Sequence, residues 1–262
     1  MKIDCFTLAY NQGKYLPRAI ETICSQRNLG QYFVYDPGSN DETASIIAQN
    51  STRVKAIFVE SDLGPADGLN YGLGLIESEL FYYLNADDEV LYGAFEYVCE
   101  YFRNNPSCDV LHGSINLIDE NGKVFRTLPS MEFTLKGYAL GYSVIYQQAT
   151  FFRSSVLQNF SFNLQNRISW DGEFIVDLAI AGAEIHRTQK VLGNFRIYTE
   201  SITGSGRFRT LARNEHSRIA CKILGREVLF WEKCVGKTVR FHRAIMRRIF
   251  QIVSNLRTGR FG

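Results

Sequence analysis

Along the first third of the chain, short apolar runs alternate with stretches of helical spacing. Ile3 to Leu8, Tyr32 to Tyr35, Val54 to Val59 and Leu80 to Leu84 have strand length, and Tyr15 to Gln26, Glu42 to Gln49 and Ala66 to Glu77 read as helices between them. Pro65 stands before one predicted helix, and Ser39 and Asp41 offer capping oxygens before another. Such alternation predicts a parallel sheet with helices on its faces. Beyond Asp88 the pattern is mixed. A helix is suggested from Leu91 to Phe102, then a hairpin made by Val110 to Gly113 and Ile115 to Ile118, an Asp119 to Gly122 turn, and Lys123 to Thr127. A strand over Gln147 to Arg153, a helix over Trp170 to Ala181, and strands over Glu184 to Thr188 and Val191 to Ile197 follow. No period of 20 to 50 residues repeats, which excludes a solenoid.

The tail is helical by composition from about Thr210. Its last segment places Phe241, Ile245, Ile249, Ile252, Val253 and Leu256 near one stripe, and Arg240, Arg243, Arg247, Arg248 and Arg257 occupy much of the rest. This is the pattern of a helix lying in a membrane interface. The alternative is a terminal helix packed on its own domain with a solvated basic face. Net charge sharpens the point: the total is +2, yet from Arg207 onward 14 basic residues face three acidic ones, leaving 15 basic against 24 acidic before it. A basic tail on an acidic body suits an anionic partner, either phospholipid headgroups or nucleic acid.

At 262 residues, 45% hydrophobic and 21% charged, the chain can bury a full core as one domain, or one domain with an appendage. No apolar stretch reaches the roughly 18 residues of a membrane span. Met1 to Cys5 enters a strand pattern directly, without signal-peptide architecture, so a cytoplasmic protein is expected. The six cysteines form no Cys-x-x-Cys pair and are read as buried thiols rather than a zinc site.

Two strands end in acidic residues. Leu80 to Leu84 stops at Asn85-Ala86-Asp87-Asp88, and Phe33-Val34-Tyr35 runs into Asp36-Pro37-Gly38-Ser39-Asn40-Asp41. Adjacent carboxylates repel, and at the end of a buried strand a cation, a helix N-terminus or a ligand donor offsets the repulsion. Simple capping of the next helix by Asp87 or Asp88 is the other reading. In an open parallel sheet, ligands bind at the carboxyl edge where these residues fall.

These pieces, together with Thr7 to Leu16, Asp62 to Gly72, Gln148 to Arg153 and Trp170 to Glu173, resemble the family 2 glycosyltransferases from about Ile3 to Ser205. The resemblance implies a GT-A fold: an α/β, Rossmann-like, mostly parallel sheet continuing into a mixed acceptor-side half. The implied organisation is a catalytic domain over 1–205, with a nucleotide-binding half at 1–105 and an acceptor-side half at 106–205, and a basic helical extension over 206–262. By the family's motifs, Thr7, Tyr10 and Asp36 match the base pocket and Asp67 lines the nucleotide. Asn85 and Asp87 match the ends of the Asp-x-Asp motif, with Asp87 binding Mg²⁺ or Mn²⁺. Asp171 matches the catalytic base with Glu173 as its understudy, and Arg196 is a phosphate contact. His112, Gln148 and Trp170 fall on the acceptor side, although His112 can equally be hydrogen-bonded locally and Trp170 can equally fill the core.

Three departures stand out: Asn85 replaces the commoner aspartate, Leu8 the usual proline, and Tyr198 the histidine of an Arg-x-His element. The function implied is an inverting, metal-dependent glycosyltransferase of hexosyltransferase type that uses a nucleotide sugar, UDP-linked by its base pocket, in surface polysaccharide synthesis. The acceptor would be lipid-linked or an oligosaccharide, and the C-terminal helix would hold the protein peripherally at the inner face of the plasma membrane. The competing class is a nucleotide-sugar binding protein without catalysis. Nucleic acid is not expected as a partner, since the tail lacks a groove-reading motif.

Overall fold

The structure, a computed structural model, describes residues 1–199, 201, 205–232 and 234–239; the predicted apolar stripe from Phe241 to Leu256 lies outside them. The alternating half consists of β1 (Ile3–Leu8), α1 (Leu16–Cys24), β2 (Leu29–Asp36), α2 (Thr43–Gln49), β3 (Lys55–Phe58), α3 (Pro65–Leu73) and β4 (Leu80–Asn85). The mixed half continues with β5 (Glu89–Val90), α4 (Ala94–Asn104), β6 (Val110–Ile118), β7 (Val124–Leu128), α5 (Leu135–Ala139) and a 3-10 turn at Gln147–Ala149. It ends with β8 (Thr150–Arg153), α6 (Ser154–Leu157), α7 (Trp170–Ile180) and β9 (Ile185–Arg196), after which comes α8 (Arg209–Leu224). All strands join one nine-stranded sheet in the order β3-β2-β1-β4-β8-β6-β9-β5, with β7 on the side of β6. Strands β3, β2, β1 and β4 are parallel, and β8 is inserted antiparallel between β4 and β6.

Side-chain alternation sends β4 into two cores. Leu80, Tyr82 and Leu84 pack with α1, α2 and α4 on one face, and Phe81 and Tyr83 pack with α3 and α7 on the other. Helix α1 contributes Leu16, Ala19, Ile20 and Ile23, a stripe at helical spacing. Helix α3 lies close on the sheet because two of its residues lack side chains. A β-carbon at Gly72 would come 2.7 Å from the Phe6 ring, and one at Gly68 2.7 Å from Leu8.

Three expectations need adjustment. The helix predicted from Leu91 starts at Ala94, because Glu89 and Val90 first pair antiparallel with Asn194 and Gly193, and Gly93 turns the chain in a left-handed conformation (φ 75°). The strand predicted over Gln147–Arg153 is half 3-10 turn. The two strands expected at 184–197 are one, β9, whose bulge against β6 takes up the polar stretch between Arg187 and Val191. Of the cysteines, Cys5, Cys99 and Cys108 are buried, while Cys24 and Cys221 are half-buried and Cys234 is exposed, so the reading of all six as buried thiols is corrected.

Helix α8, which buries Ile219 and Ala220, is bound to α7 by charge. Arg218 forks onto both oxygens of buried Glu173 (2.6 Å each), which also accepts from Asn163 and Asn166. Lys222 pairs with Asp177 and approaches Glu173 at 3.5 Å. The Arg218 guanidinium and the two amides overcome the cost of burial and hold the Glu173 pKa down at about 2. The folded-state pKa lies below the unfolded value, so this stabilisation is complete above pH about 4.5 and is lost as pH falls towards 2. Arg218→Ala should therefore lower stability by about 2–3 kcal/mol at pH 7, less than for a fully enclosed pair because Arg218 is partly exposed. Urea unfolding of both proteins should show that deficit shrinking as pH drops from 4.5 to 3.

Candidate active site

The loops at the carboxyl ends of β1 and β2 are stitched together before any ligand is considered. Asn11, at positive φ (51°), donates from its backbone to Ser39 Oγ (2.8 Å) and accepts from Asn40 N (2.9 Å). Asp41 accepts from Gly13 N (3.0 Å) and from Thr43 N (2.9 Å), the first residue of α2. Asp36, buried at the end of β2, accepts from both Ser39 N (2.9 Å) and Ser39 Oγ (2.6 Å). Beside this turn lies a cavity of about 370 Å³ lined by Leu8, Tyr10, Pro37, Asp62, Pro65 and Arg167 among others. Arg167 bridges it by donating to the carbonyl of Leu63.

At the end of β4 the two adjacent aspartates part company. Asp88 is buried, and its oxygens accept from Arg196 N (2.9 Å) and Gln148 Nε2 (2.8 Å). It therefore orients the loop and caps no helix, since β5 intervenes before α4. Asp87 turns to the cleft and accepts from the hydroxyl of Tyr198 (3.1 Å). Burial raises the pKa of both carboxyls, and Asp87 raises that of Asp88 further. Among the described residues no Lys or Arg side chain pairs with Asp87, and no group of three or more His, Cys, Asp or Glu is arranged to hold a metal ion. A desolvated carboxylate without a cationic partner suits a divalent cation whose remaining oxygens come from a ligand.

The cleft in front of Asp87 measures about 500 Å³ and brings together Tyr10, Asn85, Asp87, Gln148, Trp170 and Asp171, with Gln12, Tyr198 and Arg207. Behind Asp171 a second cavity of about 390 Å³ is lined by Tyr83, Phe133, Tyr138, Ser143, Ile175 and His216 among others. Asp171, Gln147 and Ile168 belong to both walls. Burial raises the Asp171 pKa above the ordinary carboxylate value, and its Oδ1 accepts from Gly172 N (2.7 Å). Gly172 is small for a reason: a β-carbon there would collide with the Tyr138 hydroxyl. Gln147 donates its amide N–H to the Tyr83 carbonyl, which leaves its buried Oε1 without a partner at the junction of the two spaces.

The other residues named from sequence have defined surroundings. Thr7 is fully buried and its hydroxyl bonds Tyr32 Oη (3.1 Å). Asp67 folds back to accept from Leu63 N (3.1 Å), and Asp62 lines the cavity in its place. The Arg196 guanidinium donates to the carbonyls of Asp87, Asp119 and Glu120 and to the Glu89 carboxylate (2.7 Å), and it lies over the Tyr15 ring. Among the described residues Arg207 lines the cleft. Glu173, named as understudy to the base, is paired with Arg218. His112 is buried on β6 between β8 and β9 with neither ring nitrogen bonded, and burial pushes its pKa down to about 4. Gln148 lines the cleft but its amide is spent on Asp88. Trp170 both packs in the core and lines the cleft.

Asp171 is placed by a residue far along the chain. Glu215 of α8 accepts from the backbone N–H groups of Arg167 (2.6 Å), Ile168 (3.1 Å) and Ser169 (2.9 Å), the donors that precede α7. Asn166 adds a bond to Ser169 N (2.8 Å).

Comparison with known proteins gives a consistent picture. Residues 4–163 match the family described as Glycosyl transferase family 2. An uncharacterised glycosyltransferase of Nostoc sp. is 28% identical over 128 residues, which is 47% of this chain and 39% of that protein. Another from Mycobacterium tuberculosis is 24% identical over 186 residues, 68% of this chain and 69% of its own length. Among solved structures, S. aureus TarS in complex with UDP-GlcNAc superposes with a TM-score of 0.65 at 16% identity, over 91% of this chain and 70% of that one. A mannosyltransferase from Pyrobaculum calidifontis, in complex with GDP-Man and Mn²⁺, gives 0.66 at 12% identity over 97% and 80%. At such identities these two likenesses speak for the fold, which is the GT-A arrangement.

Glu215→Gln replaces an oxygen with a donor opposite three backbone donors. It should cost about 1–3 kcal/mol and raise amide exchange at Arg167 to Ser169 ahead of the rest of the sheet. Unchanged exchange at those amides would show that Glu215 does not hold the loop.

Proposed function

The chain belongs to glycosyl transferase family 2, and from that premise we propose that it transfers a sugar, with inversion, from a UDP-sugar to a hydroxyl of a lipid-linked or saccharide acceptor in surface polysaccharide synthesis. The observation that carries the reading is Asp171 standing in the wall shared by two spaces, with Asp87 in the larger one. The cavity beside Tyr10 and Pro37 would take the base, with Asp36 behind it, and the cleft along Asn85 and Asp87 would take the diphosphate and sugar. The bound UDP-GlcNAc of TarS and the bound GDP-Man and Mn²⁺ of the mannosyltransferase support a nucleotide-sugar donor and a divalent cation. In this division residues 1–105 handle the donor, 106–205 the acceptor, and 206–262 begin with the helix that braces α7.

A sugar hydroxyl attacks poorly at neutral pH, so a base must take its proton as its oxygen bonds to the anomeric carbon and the bond to the diphosphate oxygen breaks. Asp171 is that base. Its raised pKa increases its proton affinity, and its position in the wall of both spaces supports the role. Gln147 Oε1 offers an acceptor for a substrate hydroxyl at the same junction. Asp87, with Asn85 beside it, would hold Mg²⁺ or Mn²⁺, which when bound neutralises charge on the departing diphosphate. Arg207 adds a cationic side chain at the cleft. Membrane attachment through the basic C-terminal segment would keep the enzyme at the cytoplasmic face, near a lipid-linked acceptor.

Nucleoside diphosphate release from a panel of nucleotide sugars tests this directly. Release should require Mg²⁺ or Mn²⁺ and be fastest with a UDP-sugar, and Asp171→Asn should lower kcat by about 100-fold or more. Asp87→Ala should abolish the metal response. Wild-type binding of donor without transfer to any acceptor would identify a nucleotide-sugar binding protein instead.

The pH profile gives a separate check. The carboxylate form acts, so kcat/KM should fall on the acid side as pH drops through the pKa of Asp171, which burial raises. That limb should therefore lie above the ordinary aspartate value. An acid limb at or below the ordinary aspartate value would contradict the assignment.

A further inference from the structure

After α8 the chain makes a bend whose polar groups are satisfied inward and whose apolar groups point outward. Glu232 accepts from both Nη atoms of Arg226 (2.8 Å each) and from Leu229 N (2.9 Å), and its side chain is only 3% exposed. Leu229, which it bonds, and Phe230 and Trp231, which open the next helical stretch, are exposed by 44%, 83% and 59%. A fixed tip of contiguous apolar side chains is an interaction surface rather than scattered surface hydrophobicity. Val235, exposed by 44%, extends it.

The tip lies on the acceptor side. Gly236 packs against the Leu140 carbonyl, so closely that a β-carbon there would collide with it. The adjoining Gly141, Ser143 and Val144 line the cavity behind Asp171, and Val144 is 40% exposed at that wall. Charge indicates what covers the tip. After Glu232 the sequence contains Lys233, Lys237 and six arginines between Arg240 and Arg260, and no Asp or Glu. A second copy of this chain would bring like charge to like charge. An anionic bilayer instead supplies an interface for Trp and Phe and negative headgroups for the basic residues.

We propose that Leu229, Phe230 and Trp231 insert into the headgroup region of an anionic bilayer, so that the acceptor cavity stands beside the lipid surface. The proposal deepens the reading of a lipid-linked acceptor and rests on it only for the purpose of the contact. The chain's two tryptophans make the test specific, because Trp170 is buried and Trp231 is exposed. With the full chain and vesicles of phosphatidylglycerol and brominated phosphatidylcholine, Trp231 emission should shift to the blue and be quenched. Trp231→Phe should remove the quenching while keeping vesicle binding. Phe230→Ser combined with Trp231→Ser should weaken partitioning by about 10-fold or more and leave donor hydrolysis in solution unchanged, since neither residue lines the cleft or the cavity.

Vesicle binding that survives the double substitution, or that occurs without quenching of Trp231, would overturn the proposal while leaving the transferase reading intact. A dimer dissolved by the same double substitution, without vesicle binding, would assign the bend to a second copy and overturn it too. Quenching in a protein that hydrolyses no nucleotide sugar would uphold the lipid contact and remove the transferase reading.

Discussion

The buried carboxylate of Asp88 is the constraint on which the rest of the site depends. Its two oxygens are bound from different parts of the chain, one by the backbone of Arg196 on β9 and one by Gln148 in the turn before β8. A buried charge left half-paired costs several kcal/mol, so β4, β9 and the 147–149 turn are tied to one geometry. Arg196 extends the tie by gripping the Asp87 carbonyl, Glu89 and the Asp119–Glu120 turn. The parallel and mixed halves of the sheet meet at this node, which leaves the Asp87 side chain facing outward to the cleft.

A second set of bonds does for Asp171 what Asp88 does for Asp87. The N-terminus of α7 has no cap from its own Ser169, and its preceding N–H donors are met by Glu215 and Asn166. Two residues past Asp171, Glu173 is locked to Arg218. The base candidate is thus flanked by anchors that originate in α8. The segment after 205 contributes to the geometry of the site, and treating it purely as a tail would miss that.

Much of the fold was legible because its strands are short apolar runs broken by helical spacing, a pattern that depends only on neighbours in sequence. The 3-10 turn at Gln147 and the two-residue β5 were not legible, since both exist through pairing with β9 or packing on β4. The same division runs through the site. Tyr10, Asn85, Asp87, Trp170 and Asp171 sit at strand or helix ends, where position alone brings a side chain to the carboxyl edge. The partners of Thr7, Arg196 and His112 follow from the face of the sheet each takes, and sequence does not tell which face a polar residue near a strand end will take. Gln147, Arg167 and Glu215 carried no local signal because their partners lie tens of residues or more distant.

Three carboxyl groups, Asp87, Asp88 and Asp171, are desolvated in one region, and each has its pKa raised by that burial. Only Asp88 has both oxygens used by protein donors; Asp87 receives a single hydroxyl and Asp171 the N–H of its own neighbour. A fold in which every buried charge was fully compensated would be more stable, and the shortfall falls on the two residues that face the open spaces. The uncompensated charge is what a cation at Asp87 and a hydroxyl proton at Asp171 would relieve. Stability withheld at these two positions is thereby available to ligand binding and proton transfer, while the node at Asp88 and the clamp at Glu173 keep the surrounding backbone from relaxing to relieve it first.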